Sequence, residues 1–165
     1  MKHSLACSLL ALSLTAPALA DTLKIPEDKP VASITFPEGW KAAVTGEGIS
    51  ASSEDGTVFI DVITTNPAIL GAAIDKAFAL LHVKPDIDTW KDIKSTMNGM
   101  NIVQHTLDAR DVGKGNVVKL TLTGVEVTKE KGVLVILRGT AEGQEKHQEE
   151  ITGIMNSNRA SDGIV

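Results

Sequence analysis

Two apolar segments in the second half of the chain give its strongest strand signals. Val118, Leu120 and Leu122 alternate with polar residues, which is the period of a strand that buries one face. Residues 133–137 are five consecutive apolar residues, three of them β-branched, a pattern typical of a strand covered on both faces. The polar segment 129–132 ends in glycine and predicts a hairpin connection between the two strands. We therefore expect residues 133–137 to lie near the centre of a sheet.

Shorter strand patterns and two helical patterns account for most of the remaining chain. Asp55-Gly56 and Asn98-Gly99 are dipeptides suited to tight hairpin turns between strands. The apolar period changes from 2 to 3.6 at Asn66-Pro67, which predicts a helix over 67–82. A second helix is predicted over 145–156. Strands are predicted at 31–36, 41–44, 49–53, 58–64 and 102–109.

The segment 86–95 has an ambiguous pattern. Ile87, Trp90 and Ile93 recur at every third position, as on a short helix, although a hairpin turn follows soon after. We expect a short helical turn that leads into a strand at about residues 91–97. With the other elements, this predicts an α+β domain built on an antiparallel sheet of about six to eight strands.

The first twenty residues have the pattern of a secretory signal peptide. Lys2 precedes an apolar run, and Ala18-Leu19-Ala20 forms a small-residue cleavage site before Asp21. Cys7 lies inside the apolar run, so we do not expect a lipid-anchored cysteine. Cleavage between Ala20 and Asp21 would remove this cysteine, the only one in the sequence, and with it any disulfide or thiolate chemistry. The mature protein is expected to be soluble, in the periplasm or released from the cell.

The expected mature chain is acidic and poor in aromatic residues. Removal of residues 1–20 takes away one lysine and no acid, leaving 15 basic against 21 acidic residues. A nucleic-acid partner is therefore not expected. The organisation that we predict is an extended, weakly ordered segment over 21–30, one domain over 31–157 and a flexible tail over 158–165, with no membrane span in the mature form.

Asp61 and His105 are the most informative polar residues. Each falls at a position where strand alternation predicts apolar neighbours, and burial without a hydrogen-bond partner would cost on the order of a few kcal/mol. One hypothesis is that both face a pocket and bind a ligand; the other is that they are hydrogen-bonded core residues or that the faces are wrongly assigned. Trp40 has the same two interpretations, as part of an aromatic-lined groove or as a large core residue.

Known catalytic motifs are absent from the sequence. It contains no G-x-S-x-G elbow, H-E-x-x-H helix, phosphate-binding loop or calcium loop. We therefore expect no catalytic residue, no metal site and no cofactor. Two alternatives stay open: a small hydrolase or isomerase that uses Asp61 and His105, and a carrier of apolar small molecules.

Three local features, in this order, resemble the PsbP-like family, which is named for an extrinsic subunit of photosystem II. They are Ile34-Thr35-Phe36-Pro37-Glu38-Gly39-Trp40, the dipeptide Asn98-Gly99 and the closing segment ITGIMNS at 151–157. The family shares its fold with Mog-type Ran-binding proteins and many small secreted bacterial proteins. The resemblance implies an antiparallel sheet with helices on both sides, an α/β/α sandwich. It also implies an accessory or binding module. Together with the signal peptide and the absence of catalytic motifs, this predicts a secreted or periplasmic, non-enzymatic module that binds an envelope protein or a small ligand.

Overall fold

The computed structural model describes residues 20–26, 28–46 and 48–161. The predicted signal peptide therefore lies outside the described residues, except for Ala20, and so do residues 162–165. The strands are β1 Asp21–Ile25, β2 Ala32–Phe36, β3 Lys41–Val44, β4 Gly48–Ser52, β5 Val58–Thr65, β6 Val83–Met97, β7 Met100–Asp111, β8 Val117–Glu126, β9 Gly132–Gly139 and β10 Arg159–Ala160. The helices are α1 Leu70–Leu80, preceded by a 3-10 turn at Pro67–Ile69, α2 Ala141–Lys146 and α3 Gln148–Asn156.

Seven strands form one antiparallel sheet in the order β3-β4-β5-β9-β8-β7-β6. Strand β9 has three strands on either side of it, and its residues 133–137 are at most 7% exposed. This confirms the central position that the unbroken apolar run predicts. A strand with neighbours on both edges and cover on both faces has no solvent-facing side, which accounts for the unbroken apolar run over residues 133–137.

The two faces of this sheet are covered by different elements. Helix α1 packs Ile74 and Ala77 against a cluster that includes Leu120 and Leu134; we call this side the α1 face. The opposite side, the α3 face, packs against helix α3 and a small three-stranded sheet through residues such as Phe36 and Ile154. The architecture is an α+β fold with a helix on each side of an antiparallel sheet, which confirms the predicted fold class.

The small sheet contains two segments for which the sequence predicts little order. Strand β1 pairs with β2 along its whole length, and Ile25 is 1% exposed in the core. On the other side of β2, Arg159–Ala160 forms β10 and pairs with Ser33 and Ala32. Part of the predicted lead-in and part of the predicted tail are thus strands, because β2 offers a free edge on each side and Ile25 fills the core beneath it.

Hairpin turns lie where the dipeptides predict them. Asn98 and Gly99 have φ angles of 53° and 80° and connect the paired residues Met97 and Met100. Two successive positive φ angles are the requirement of the tight turns that suit the twist of paired strands, and Asn and Gly adopt them most readily. Asp55-Gly56 likewise lies in the turn between β4 and β5.

The predicted helical turn within 86–95 is wrong, because these residues belong to the continuous strand β6. Four residues, 87–90, lie between the pairs Asp86–Asp108 and Lys91–Thr106, where β7 has only Leu107. This bulge shifts the side-chain alternation. Ile87 and Ile93 are 74% and 53% exposed, so the spacing of three does not mark a buried stripe. The predicted second helix is also interrupted, at His147, and becomes the two short helices α2 and α3.

Candidate functional site

Asp61 and His105 lie on the same face of the sheet but not in one site. The register aligns Asp61 with Ile136, Ile136 with Leu122, and Leu122 with His105. Directly paired residues point to the same side, so the whole row lies on the α1 face. Three inter-strand spacings separate Asp61 from His105, which corresponds to about 14 Å.

Asp61 has a simple local partner. Its Oδ1 atom accepts a hydrogen bond from the hydroxyl of Ser50, at 2.5 Å, on the neighbouring strand β4. The half-buried carboxylate is therefore satisfied by an adjacent side chain.

His105 is held by two residues of the edge strand β6. Its Nδ1 atom lies 2.6 Å from Oδ1 of Asp92, the residue directly opposite it, and the indole N–H of Trp90 donates to the same oxygen. The pKa of Asp92 is lowered, first by the hydrogen bond from His105 and also by the charges of His105 and Lys94. Asp92 therefore fixes the orientation of the imidazole ring.

Aromatic rings form a wall beside this pair. The rings of Trp90 and His105 lie 4.8 Å apart between centroids, and Phe78 of α1 meets Trp90 edge-on at 6.4 Å. The side chain of His105 is 13% exposed, and its Nε2 atom makes no hydrogen bond within the described residues. We call Phe78, Trp90, Asp92 and His105 the His105 cluster.

A cavity of about 220 Å³ lies on the same face, between the start of α1 and strands β7 and β8. Leu70, Val103 and Gly124 contribute to its mainly apolar wall. At one end the amide of Asn101 donates a hydrogen bond of 3.2 Å to Glu126. Val103 precedes His105 by two residues on the same strand and so shares its face. The cavity wall at Val103 is therefore about 7 Å along β7 from His105.

Trp40 lies in the core beneath the α3 face, on the other side of the sheet from the His105 cluster. It is 8% exposed, its ring lies 6.2 Å from that of Phe36, and its indole N–H donates to Oε2 of Glu150 at 2.6 Å. The structure thus places Trp40 apart from Asp61 and His105.

His147 joins Glu150 to the β4–β5 turn. Its Nδ1 atom lies 3.0 Å from Oε2 of Glu150, and its Nε2 atom lies 3.1 Å from Oδ2 of Asp55. Asp55 also accepts hydrogen bonds from Ser53, Thr57 and Lys146. The hydrogen bond to Asp55, followed by that to Glu150, raises the pKa of His147. Because both ring nitrogens face carboxylates, the charged imidazolium satisfies them best.

The comparisons with known proteins give similarity in structure alone. No protein-family model matches the sequence, and no curated protein matches it by sequence.

Within the described residues, no helix is long and apolar enough to cross a membrane, and no group of three or more His, Cys, Asp or Glu is arranged to hold a metal ion.

Three solved structures have the same fold over most of their length. Cyanobacterial PsbP (CyanoP) from Synechocystis sp. PCC 6803 has a TM-score of 0.56 and 12% identity, covering 94% of this chain and 98% of that one. LpqN of Mycobacterium tuberculosis, described as involved in cell envelope biogenesis, has a TM-score of 0.57, 9% identity and coverages of 86% and 91%. The Ran-binding protein Mog1p of Saccharomyces cerevisiae has a TM-score of 0.55, 7% identity and coverages of 87% and 96%.

At identities this low the similarity concerns the path of the backbone and the order of its elements. The chain therefore has the PsbP-like, Mog-type fold.

Proposed function

We propose that the protein is an exported, non-enzymatic accessory or binding module, and that it binds its ligand or partner on the α1 face. The observation that carries this proposal is the arrangement at His105. Asp92 and Trp90 hold the imidazole in place, its Nε2 atom is left without a partner among the described residues, and an apolar cavity lies on the same face. A fixed polar group beside an apolar cavity is the usual composition of a small-molecule site.

Proteins of the same fold support a binding role. Mog1p is described as a Ran-binding protein, and LpqN as involved in cell envelope biogenesis. A role in the envelope also agrees with the secretory signal peptide that the sequence predicts at residues 1–20. Strand β1 begins at Asp21, so cleavage after Ala20 would leave every described strand intact.

Export is tested by the mass of the chain in the periplasmic fraction. We expect the mass of a protein that begins at Asp21. Replacement of the small residue at the cleavage site, Ala20→Arg, should give a longer, unprocessed chain. A full-length wild-type chain confined to the cytoplasm would contradict the proposal.

Binding on the α1 face is tested by native mass spectrometry of the exported protein, together with crosslinking from a photoreactive residue at position 94. Wild-type protein should retain a bound molecule or form a discrete crosslink, and His105→Gln should lose it. Asp61→Asn is the matched control, because it changes a polar residue on the same row about 14 Å away. Equal retention by His105→Gln and wild type would contradict binding at His105.

A hydrolase or isomerase is the second candidate, and one observation favours it. Asp92 orients His105 as an acid orients the imidazole base of many hydrolases. Asp61 would have no direct role, since it lies three strands away and bonds to Ser50. Turnover of ester, phosphate or peptide substrates that disappears in His105→Gln and persists in Asp61→Asn would favour the enzyme over the binding module.

A carrier of apolar small molecules is the third candidate, and the apolar cavity on the α1 face is the observation that favours it. Its mainly apolar wall and its volume of about 220 Å³ suit part of a small ligand and not a whole lipid chain. Native mass spectrometry distinguishes this candidate directly, because a carrier should release a small molecule and no protein.

A further inference from the structure

Strand β6 places a cationic side chain, Lys94, on the same face as the His105 cluster. Lys94 pairs directly with Val103, as Asp92 pairs with His105, so Lys94 lies on the α1 face beside the cavity wall. Its side chain is exposed, and its ammonium makes no hydrogen bond within the described residues. Asp92 and Lys94 are two residues apart on β6 and share this face, and the charge of Lys94 contributes to the lowered pKa of Asp92.

Each of the two acidic groups of this region accepts a hydrogen bond at one of its oxygens. Both His105 and Trp90 donate to Oδ1 of Asp92, and Lys94 adds its charge. Glu126 lies at the other end of the cavity, where it accepts a hydrogen bond from Asn101. The donors that lack an acceptor in the described chain are therefore Nε2 of His105, when protonated, and the ammonium of Lys94. Two such donors on one face of neighbouring strands complement one anionic oxygen pair.

The size of the cavity limits the apolar part of a ligand. A closed apolar cavity of about 150 Å³ is enough to bind benzene. The cavity here, at about 220 Å³, therefore has room for one phenyl ring or a short alkyl chain. Val103, which lines the cavity, and His105 are two residues apart along an extended strand, which corresponds to about 7 Å. A short arm is enough to connect a ring beside Val103 with a polar group at His105.

We infer that this site binds a small arylalkyl or alkyl carboxylate, with the apolar body in the cavity and the carboxylate between Lys94 and Nε2 of His105. The inference rests on the proposed binding function and adds the class of ligand. A cationic head group would instead have to lie at Glu126, where Asn101 already donates to one oxygen, and it would leave the donors at the His105 end without an acceptor.

Three probes that share a phenyl ring on a three-carbon chain and differ in their head group test this inference. They are 3-phenylpropionate, 3-phenylpropylamine and 3-phenylpropanol, each titrated into the purified protein and followed by calorimetry and by backbone amide shifts. We expect 3-phenylpropionate to bind saturably, to shift amides of β6, β7 and the start of α1, and to bind at least fivefold more tightly than the amine or the alcohol. The fluorescence of Trp90 should respond, while that of the buried Trp40 should not.

Two variants separate the site from the fold. Lys94→Gln changes an exposed side chain, and His105→Gln removes the imidazole; each should weaken the carboxylate at least fivefold and leave the amine unchanged. Asp61→Asn is the matched control and should bind like wild type. Thermal melting identifies any variant that fails to fold. If His105→Gln fails to fold, Lys94→Gln still tests the placement of the carboxylate, because its side chain is exposed.

The outcomes distinguish the ligand class from the proposed function. Binding of the amine or the alcohol in the cavity, as tight as or tighter than that of the carboxylate, would overturn the ligand class and support the binding site. Unchanged affinity of 3-phenylpropionate in Lys94→Gln and His105→Gln would overturn the placement of its head group. If none of the probes shifts an α1-face amide, the inference is overturned, while the proposed function is decided separately by retained molecules and crosslinks.

Discussion

Nε2 of His147 lies 3.1 Å from Oδ2 of Asp55 and thereby connects the junction of α2 and α3 to the turn between β4 and β5. The two residues are 92 positions apart in the chain. Nδ1 of the same ring faces Glu150, which also accepts the indole N–H of Trp40. The imidazole of His147 therefore links Asp55 in the β4–β5 turn to Glu150 and, through Glu150, to Trp40 in the core of the α3 face.

Stability should fall with rising pH because of His147. Its pKa is raised above the ordinary value of 6.5, so its contribution is complete below that pH and is lost as pH rises through the folded-state pKa. We expect the urea-derived free energy of unfolding to be lower at pH 9 than at pH 6. His147→Gln should lower it by about 1 to 2 kcal/mol at pH 6 and remove most of the difference. His82→Asn, which removes an exposed imidazole, is the control; an equal pH dependence in His147→Gln would refute the assignment.

Asp55 should contribute to stability with the opposite dependence on pH. Lys146, Ser53, Thr57 and His147 lower its pKa far below the ordinary value of 3.8, in that order of importance. Its contribution is therefore present above pH 3.8 and is lost as pH falls through the folded-state pKa. The urea midpoint of wild type should drop between pH 4.5 and pH 2.5. Asp55→Asn should have a lower urea midpoint at pH 4.5 and a smaller drop between the two pH values. Asp61→Asn, which loses one hydroxyl contact, should keep the wild-type drop.

Two glycines of the central strands should differ in their tolerance of a methyl group. A Cβ at Gly124 would lie 2.6 Å from a methyl of Leu70, the end of a flexible side chain that can move into the adjoining cavity. Gly124→Ala should cost about 1 kcal/mol and weaken binding of 3-phenylpropionate. A Cβ at Gly132 would lie 2.5 Å from the carbonyl oxygen of Val125, which is fixed in the sheet. Gly132→Ala should therefore cost about 3 kcal/mol; equal losses, measured by urea unfolding, would contradict this explanation.

Strand β1 should be necessary for stability. Ile25 is 1% exposed and belongs to the core cluster of the α3 face, so Ile25→Ala removes buried methyl groups and should cost about 3 kcal/mol in chemical unfolding. Lys24→Ala changes the exposed neighbour on the same strand and should stay within about 0.5 kcal/mol. Similar small effects of both changes would mean that β1 is only loosely attached.

The sequence predicts those parts of the fold that depend on neighbouring residues. The apolar run 133–137 and the dipeptide Asn98-Gly99 each restrict their own backbone, and the structure confirms both. The spacing in 86–95 does not correspond to a helix, because Ile87 and Ile93 are exposed residues of β6 and a bulge opposite Leu107 breaks the strand alternation. Strand β1 was missed because its pairing depends on the free edge of β2, which no local pattern shows.

The candidate site could be predicted only in part. His105 stands out because it interrupts an apolar alternation, and it is one member of the cluster. Asp92 is exposed within a charged edge strand and resembles any solvated acid until the register places it opposite His105. The separation of Asp61 from His105 also follows from strand order, since two central strands lie between their own. Such relationships arise from long-range pairing and are not contained in local patterns.

The flanking of β2 by β1 and β10 brings the beginning and the end of the described chain close together. Asp21 is opposite Phe36 and Ala160 is opposite Ala32, so two strand widths and four residues of length separate them, about 16 Å in all. A linker of about six residues can bridge this distance. The order of the elements could thus be circularly permuted, with new ends at Asn98-Gly99, while every strand keeps the neighbours it has now.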